Sequence, residues 1–488
     1  MESFRYFKVH CLALLIILTS FLVIDYHLKQ RNLTRSSIRW SHPDTKVSSK
    51  VKALVDIWSK GLDQVIRKDT SRFKAPAGVP FPPHIQDCKR CNELHTRMDR
   101  RGKDGELPPW NFGGNDDNLP LTRLVQHDLW LHQHPKDCSN ATFLLAHWHS
   151  DSFPIGAGSQ ITYLSSILSL AVSEGRVFVT LPYHGANHQG CTGQNYMRWS
   201  CYFAPEASKE CISRAMELYS DENAWNQGIL KKSNNTLGPW SGVPRIWGEP
   251  WKKMRLTEEL NGAVLGDIYY YNKRRWWRAQ AYRYLMRFPS EYLCNLLNQA
   301  RHQAFGIKAA RAIVLSLPRD LPVNFLQEQA QTPLEEFVWS KYGPWIPRPI
   351  VSIHVRQGDK GGEMTLHPFK DYINLANTLR RKFPDLENVW LSTEMQSVVD
   401  ETMDVKDWKF YFTKVERQSG TIAMTKYMKS LGKRTAFDNS YVNLMMAVEA
   451  DLFVGALGSG WSYIIDCMRM TNGKLNAGFL SVNSISKD

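Results

Sequence analysis

The sequence predicts an α/β protein built from two halves, each a parallel sheet flanked by helices. Two observations carry this prediction: short β-branched apolar runs alternate with helical patterns, and the alternation occurs twice, from about residue 140 and again from about residue 348. A length of 488 residues, with 43% hydrophobic and 22% charged residues, provides for a large core. It excludes collagen-like, wholly disordered and polytopic membrane proteins.

The first half is predicted from a strand, a turn, a helix and a second strand. The apolar run Phe143 to Trp148 is typical of a strand, and Gly156-Ala157-Gly158 is typical of a turn. Gln160 to Glu174 has a helical pattern, which Gly175 ends. The next run, RVFVTL at 176–181, is typical of a strand inside a parallel sheet, so the segment predicts a βαβ unit.

The second half repeats this alternation over a longer stretch. Its predicted elements are strand 350–355, helix Pro368–Phe383, strand 388–393, helix Asn443–Ala450, strand Asp451–Ala456, a turn at Leu457–Gly460 and helix Trp461–Met470. Two Rossmann-like halves result. Because ligands of such sheets bind at the carboxyl ends of the strands, the loops after Val355, Thr393 and Ala456 are where we expect the chemistry.

The amino terminus predicts a membrane anchor. Val9 to Ile24 is an apolar run with basic residues on both sides, which favours an uncleaved signal-anchor; a cleaved signal peptide is the alternative. The predicted organisation is a cytoplasmic tail (1–8), a transmembrane signal-anchor (9–26), a stem (27–85), an N-terminal Rossmann-like and helical region (86–345) and a C-terminal donor-binding Rossmann-like domain (346–488).

Cysteines and glycosylation sequons favour a lumenal body. Eight of the nine cysteines and the sequons at Asn32, Asn140 and Asn234 follow the apolar run. Cys88-x-x-Cys91 alternatively suggests a metal site, but no second pair at similar spacing is present, so disulfides are favoured. Cys294 and Cys467 are expected to be buried free thiols.

The stem carries one amphipathic helix. Its apolar residues recur at spacings of three and four, at Val51, Leu54, Val55, Trp58, Leu62, Val65 and Ile66. Two interpretations stay open: the stripe packs against the body of the same chain, or it joins two copies into a homodimer.

The loop after Val355 concentrates charge. His354 and Arg356 share one face of the strand because side chains alternate along it. Arg356 suits bidentate binding of a diphosphate and Lys360 acts as a point charge, while Asp359 can orient either of them. An ordinary surface cluster of ion pairs is the alternative interpretation.

Two glycine turns complete the candidate site. Gly458 and Ser459 precede a helix whose N-terminus is suited to bind an anion, although the same residues also make a good turn and cap. Gly158 precedes the helix of the first half and is expected to line the cleft between the halves.

The sequence suggests catalysis by positive side chains in place of a metal. It has no Asp-x-Asp pair to hold a nucleotide-bound divalent cation, and Arg356, Lys360 and the Ser459 helix end can offset charge on a leaving diphosphate. Glu363 is a candidate general base for an acceptor hydroxyl, with a solvated loop glutamate as the alternative.

The net charge of +14 also permits a nucleic-acid partner, but no DNA- or RNA-binding motif accompanies it, so none is expected.

At these residues the sequence resembles the α1,6-fucosyltransferase family, which includes the animal N-glycan core enzymes and the bacterial Nod-factor enzymes. The resemblance covers roughly residues 135–483. It rests, in chain order, on PKDCS at 135–139, Trp276-Trp277 with Arg287 after it, HVRQGDK at 354–360, LHPFKDY at 366–372, VWLSTE at 389–394 and ADLFVGALGSG at 450–460.

The resemblance implies a GT-B fold, with two Rossmann-like domains facing a cleft, a GDP-fucose donor, no metal and inversion at the sugar carbon. It implies that His354 and Asn443 face guanine and that Arg356, Lys360 and Ser459 contact the donor phosphates. It further implies that Glu363 is the base, that Tyr372 and Glu394 line the site, and that Cys138 and Cys211 form a disulfide.

Three departures from the family pattern concern the donor. Gln357 occupies the position of a second arginine, Asn443 that of a guanine-reading aspartate, and the loop from Lys360 to His367 is one residue shorter. An amide cannot accept two guanine hydrogen bonds as a carboxylate can, so nucleotide selectivity stays open.

The expected function is transfer of L-fucose from GDP-fucose to a glycan or glycoprotein acceptor, α1,6 to the innermost GlcNAc of N-glycans. The expected location is the Golgi membrane, single-pass type II, with a lumenal catalytic domain. Two alternatives stay open: a transferase of the same fold with another acceptor or donor, and a glycan-binding pseudoenzyme.

Overall fold

The computed structural model describes residues 45–68, 73, 78–88, 118–119, 122–148, 156–233, 273–316, 344–474, 477 and 479–483. The chain separates into a short unit, 1–50, and a body, 51–488. The predicted membrane segment at 9–26 and the sequons at Asn32 and Asn234 lie outside the described residues. Within the described ranges, no helix is both long and apolar enough to cross a membrane.

The first half contains a three-stranded parallel sheet, and the sequence predicts two of its strands. Strands β1 (Phe143–Ala146), β2 (Val177–Thr180) and β3 (Leu230–Lys232) lie in the order β2-β1-β3. All residues of β1 and β2 are buried, and helix Ala157–Ser173 connects them. The sequence did not predict β3 because this strand is three residues long and exposes both of its lysines.

The second half contains a five-stranded parallel sheet. Its strands are β4 (Ile350–Val355), β5 (Asn388–Thr393), β6 (Lys409–Tyr411), β7 (Leu452–Gly455) and β8 (Leu480–Ser481), in the order β6-β5-β4-β7-β8. The chain builds outward from β4 to β6 and then returns to the other side of β4. The strand order therefore reverses between β4 and β7, which is the point where open α/β sheets bind ligands.

Twelve α-helices accompany the strands in the part of the chain that the structure describes. They are α1 (Thr45–Lys68), α2 (Thr122–Gln133), α3 (Ala157–Ser173), α4 (Lys209–Leu218), α5 (Glu222–Asn226), α6 (Lys273–Leu285), α7 (Glu291–Ser316), α8 (Phe369–Lys382), α9 (Gln396–Glu401), α10 (Met424–Leu431), α11 (Lys433–Glu449) and α12 (Gly460–Met470). Helix α11 begins ten residues before the predicted start, Asn443, because its first turns are largely polar and show no apolar stripe.

One apolar core is shared by the two halves. It joins residues of β1 and α3, such as Leu144 and Ile167, to residues of α11 and α12, such as Tyr441 and Ile464. Helix α6 packs against both α3 and α12. Trp277 on α6 donates a hydrogen bond from Nε1 to the Ser165 carbonyl at 3.2 Å. The two halves are thus held together through α6 as well as through direct contact.

The stem helix packs against the body. Trp58 is fully buried and donates from Nε1 to the Pro80 carbonyl at 2.9 Å, and Ser59 Oγ lies 2.8 Å from His302 Nε2 on α7. Val51, Leu54, Leu62 and Val65 are buried as well. These contacts agree with the packing interpretation of the apolar stripe.

Among the described residues, two disulfides link segments far apart in the sequence and one closes a short loop. They join Cys88 to Cys294, Cys138 to Cys211 and, across the short loop, Cys191 to Cys201; Cys467 is buried and forms no disulfide with a described residue. The Cys138–Cys211 bond is the one that the family resemblance implies. Cys91 lies outside the described residues, and Asn140, the described sequon, is exposed.

The prediction that Cys294 is a free thiol was wrong. Cys294 lies in the first turn of α7, and its Cα atom is 5.6 Å from that of Cys88 at the end of the segment 78–88. The two cysteines are 206 residues apart in the sequence, so spacing alone gave no sign of their proximity.

Candidate functional site

The charged loop begins directly at the end of the central strand β4. Gly358–Gly362 forms one turn of 3₁₀-helix, and Gly358 itself has a φ of +60°. A Cβ atom there would lie 3.0 Å from Gln418 Nε2 and 3.5 Å from Glu394 Oε1. A glycine is needed at this position both for its backbone conformation and for the close approach of these two side chains.

Arg356 lies between two carboxylates. Its Nη1 donates to Glu394 Oε1 at 2.5 Å and to the Gln357 carbonyl at 2.7 Å, and its Nη2 donates to Asp359 Oδ1 at 2.5 Å. Burial opposes the charge on Arg356, but the two carboxylates outweigh burial and raise its pKa above the ordinary value. The predicted diphosphate-binding arginine is therefore charged and already oriented, with the planar fork that suits a bidentate anion.

Asp359 ties the charged loop to the start of α10. Its Oδ1 accepts from Arg356 and its Oδ2 accepts from the Met424 amide at 2.7 Å. Burial on its own would raise the pKa of Asp359, but the Met424 amide and the Arg356 guanidinium lower it below the ordinary value. Asp359 thus orients Arg356, one of the two roles that the sequence suggested.

Lys360 and Glu363 form an ion pair with one another. The ammonium group of Lys360 contacts Glu363 Oε2, and the Glu363 side chain is 67% exposed while that of Lys360 is 17% exposed. The predicted phosphate contact and the predicted base are therefore adjacent at the open edge of the loop. An anion that binds Lys360 would compete with Glu363 for it.

His354 faces the same side of β4 as Arg356 but lies deeper. Its Nδ1 is 2.9 Å from Ser462 Oγ on α12, and the residue is buried. Burial, together with the charge of Arg356, lowers the pKa of His354 to about 3. His354 is therefore a neutral imidazole at physiological pH.

Two helix N-termini meet beside the charged loop. Gly458 lies against Met364, where a Cβ would come within 2.5 Å of the methionine side chain, and Ser459 precedes α12. From the first half, Gly158 in the first turn of α3 approaches Trp461: a Cβ atom at Gly158 would lie 3.4 Å from the indole ring. The partial positive ends of α3 and α12 are thus close together, an arrangement that favours an anion.

Asn443 is fully engaged in bonds within the protein. Its Oδ1 accepts from Trp390 Nε1 at 3.1 Å and from Ser392 Oγ at 3.0 Å. Its Nδ2 donates to the Asn439 carbonyl at 2.9 Å and lies 3.2 Å from Thr413 Oγ1. Because an indole Nε1 can only donate, the orientation of the Asn443 amide is determined: the oxygen faces β5 and the nitrogen faces Asn439.

Tyr372 and Glu394, both predicted to line the site, differ in position. Glu394 contacts Arg356 directly and also accepts from the Gln357 amide at 2.9 Å. Tyr372 is fully buried, and burial raises its pKa to about 12. Its hydroxyl has no hydrogen-bond partner among the described residues. Tyr372 lies in the core with Val355, at the end of β4 where the charged loop begins, and its contact with a ligand stays a prediction.

Sequence reasoning missed three residues that hold the site together. Ser462 contacts His354, Met424 contacts Asp359, and Gln418 packs on Gly358. No motif marks them, since each acts from a different element. Ser462, two residues beyond the Gly-rich turn, was the one available sign, because a helix begins there and its first turn faces the strand ends.

Metal-ligating residues are not grouped within the described ranges: no cluster there has three or more histidine, cysteine, aspartate or glutamate side chains placed to hold an ion. The groups that can bind a ligand are instead the cation pair Arg356 and Lys360, the two helix N-termini and the neutral His354. This set suits a ligand that has both an anionic and a neutral polar part.

Acid is expected to weaken the connection through Asp359. Because the folded-state pKa of Asp359 is depressed, its carboxylate stabilises the fold above its ordinary pKa of 3.8, and this contribution is lost as the pH falls through the folded value. We expect the free energy of unfolding to fall more steeply below about pH 4 in the wild type than in Asp359→Asn. Urea denaturation at several pH values measures this. If the free energy of unfolding of both proteins fell equally with pH, Asp359 would not have the depressed pKa assigned to it.

No protein-family model matches the chain. Among solved structures, it is similar to a mutant of Arabidopsis thaliana FUT1 in complex with GDP. The TM-score is 0.32 and the sequence identity is 11%, over 86% of this chain and 85% of that chain. A similarity at this level leaves the interpretation to the residues themselves.

Proposed function

We propose that the protein is a glycosyltransferase that transfers L-fucose from GDP-fucose to a glycan. One observation supports a transferase that uses a nucleotide sugar. Arg356 and Lys360 lie where the strand order reverses, beside the N-termini of α3 and α12. Fucose, guanine and an α1,6 linkage to the innermost GlcNAc of N-glycans rest on the family resemblance of the motifs. A Golgi lumenal location belongs to the same proposal.

The geometry supports a direct displacement at the sugar carbon. Arg356, Lys360 and the two helix ends would bind the donor diphosphate and offset the negative charge that develops as it leaves. In the free protein Lys360 is paired with Glu363. Binding of a diphosphate to Lys360 would free the Glu363 carboxylate to accept the proton of the acceptor hydroxyl. Attack from the face opposite the leaving group gives inversion, and no step in this scheme uses a metal.

A glycan-binding protein without turnover is the second candidate. It is favoured by the bonding of Arg356 with two carboxylates and by the internal hydrogen bonds of Asn443. In that case these contacts are structural, and the guanine-reading position is closed. The same experiment separates the two candidates.

The test is a transfer assay on the full chain in detergent. The protein is incubated with GDP-fucose and a GlcNAc-terminated biantennary N-glycan, and the products are weighed by mass spectrometry. A gain of one deoxyhexose, located by fragmentation on the innermost GlcNAc, is the expected result. Parallel reactions with other GDP- and UDP-sugars measure donor preference. Preference for another donor would overturn the GDP-fucose proposal, and glycan binding without transfer or hydrolysis of any donor would favour the second candidate.

A further inference from the structure

A buried serine lies between the ring of His354 and the backbone of the Gly-rich turn. Ser462 is fully buried on the first turn of α12. The Ala456 amide at the end of β7 lies 3.3 Å from Ser462 Oγ, and His354 Nδ1 lies 2.9 Å from the same atom. Ser462 therefore joins the carboxyl ends of β4 and β7, the two strands at which the order of the sheet reverses.

The protons of this contact can be assigned from the chemistry of the groups. A backbone amide can only donate, so Ser462 Oγ accepts from Ala456 and has one proton of its own to donate. The sole acceptor within reach of that proton, among the described residues, is His354 Nδ1. If Nδ1 carried the proton, it would donate to Ser462 Oγ, and the buried hydroxyl proton of Ser462 would have no acceptor. A buried O–H group without a partner is costly.

We propose that Ser462 is a positioning residue that holds His354 as the tautomer with its proton on Nε2. His354 then has an N–H donor, and no lone pair, at Nε2. The hydrogen bond that the structure gives the His354 ring, among the described residues, is the one through Nδ1, so Nε2 is available to a ligand.

The group that this donor recognises is a neutral hydrogen-bond acceptor of the bound ligand, such as a carbonyl oxygen or a ring nitrogen. His354 shares a face of β4 with the cationic Arg356, and its partner on the neighbouring strand is Ser392, which donates to Asn443. The Ser392 hydroxyl and the Asn443 amide oxygen are thus bonded to one another. A ligand that reaches both Arg356 and His354 has an anionic part and a neutral hydrogen-bond acceptor. This assignment of the ligand rests on the proposed function, whereas the tautomer does not.

The tautomer is tested first, without any activity measurement. The full chain is labelled with ¹⁵N in the histidine rings, and the His354 signals are identified as those missing from His354→Gln. Long-range proton–nitrogen spectra then show which ring nitrogen carries the proton. We expect a protonated Nε2 in the wild type and in Ser462→Thr, which keeps the hydroxyl, and a mixture of tautomers in Ser462→Ala. A proton on Nδ1 in the wild type would overturn the proposal.

Donor kinetics then separate positioning from structural support. In Ser462→Ala we expect the KM for the nucleotide sugar to rise about fivefold, with kcat changed less than twofold, because one neutral hydrogen bond to the ligand is weakened. Ser462→Thr should restore the KM. The control is Ser430→Ala: Ser430 is an exposed residue whose hydroxyl donates to the Tyr427 carbonyl on α10. An unchanged KM in Ser462→Ala, with a shifted tautomer, would show that His354 does not contact the donor.

Discussion

Replacing Arg356 by lysine is expected to lower kcat/KM for the nucleotide-sugar donor by about 10²- to 10³-fold, the usual effect of removing one oriented donor to developing negative charge. The guanidinium contacts Glu394 and Asp359 at the same time, at 2.5 Å each. An ammonium group keeps the charge but cannot make the planar fork, so it cannot be held by both carboxylates and still meet a diphosphate bidentately. Steady-state kinetics on the full chain measure the loss.

The control for this prediction is an arginine that forms an ion pair outside the site. The Arg214 side chain is 40% exposed and lies 3.4 Å from Glu217 on the same helix, so Arg214→Ala should keep wild-type kinetics. Thermal unfolding of Arg356→Lys separates lost activity from lost structure. Wild-type turnover in a folded Arg356→Lys protein would assign Arg356 a structural role and favour the glycan-binding candidate.

Removing the Cys88–Cys294 disulfide is expected to cost about 5 kcal/mol of unfolding free energy by the chain-entropy model. The bond closes a loop of 206 residues, the longest of the three described disulfides, so it restricts the unfolded chain most. The variant is the double substitution Cys88→Ala and Cys294→Ala, which leaves no unpaired thiol at the site. Urea denaturation under non-reducing conditions measures the change.

The control is Cys467, a buried cysteine of the apolar core shared by the two halves. Cys467→Ala removes a buried cysteine without removing a crosslink, and we expect a loss of about 1 kcal/mol from the small cavity. Equal losses in Cys467→Ala and in the double variant would show that the crosslink adds nothing beyond packing.

Local patterns in the sequence predicted the strands that surround the site. The runs at 350–355 and 388–393 match β4 and β5 to the residue, because both strands are buried and their composition is apolar and β-branched. The ends of β1 were harder to place: Trp148 continues the apolar run but packs on Tyr183 beyond the last paired residue. A core aromatic and a strand residue look alike in a sequence.

The partners of the site residues could not be predicted in this way. Arg356 and Glu394 are 38 residues apart and meet because β4 and β5 are neighbours in register. The local pairs, Arg356 with Asp359 and Lys360 with Glu363, lie within one turn and are visible as alternating charge. The Asn443 side chain is bonded to Trp390 and Ser392 of β5. The sequence showed that an asparagine stands where the family has an aspartate, but it could not show these hydrogen bonds.

The burial of α1 bears on where a shortened form of the protein should begin. A boundary at residue 86, where the predicted stem ends, would remove Trp58 and Ser59 and leave His302 on α7 facing solvent. A boundary upstream of Thr45 retains the whole helix, with its hydrogen bond from Trp58 to Pro80. Purification tags and protease sites therefore belong before Thr45, so that the stem helix remains part of the recombinant protein.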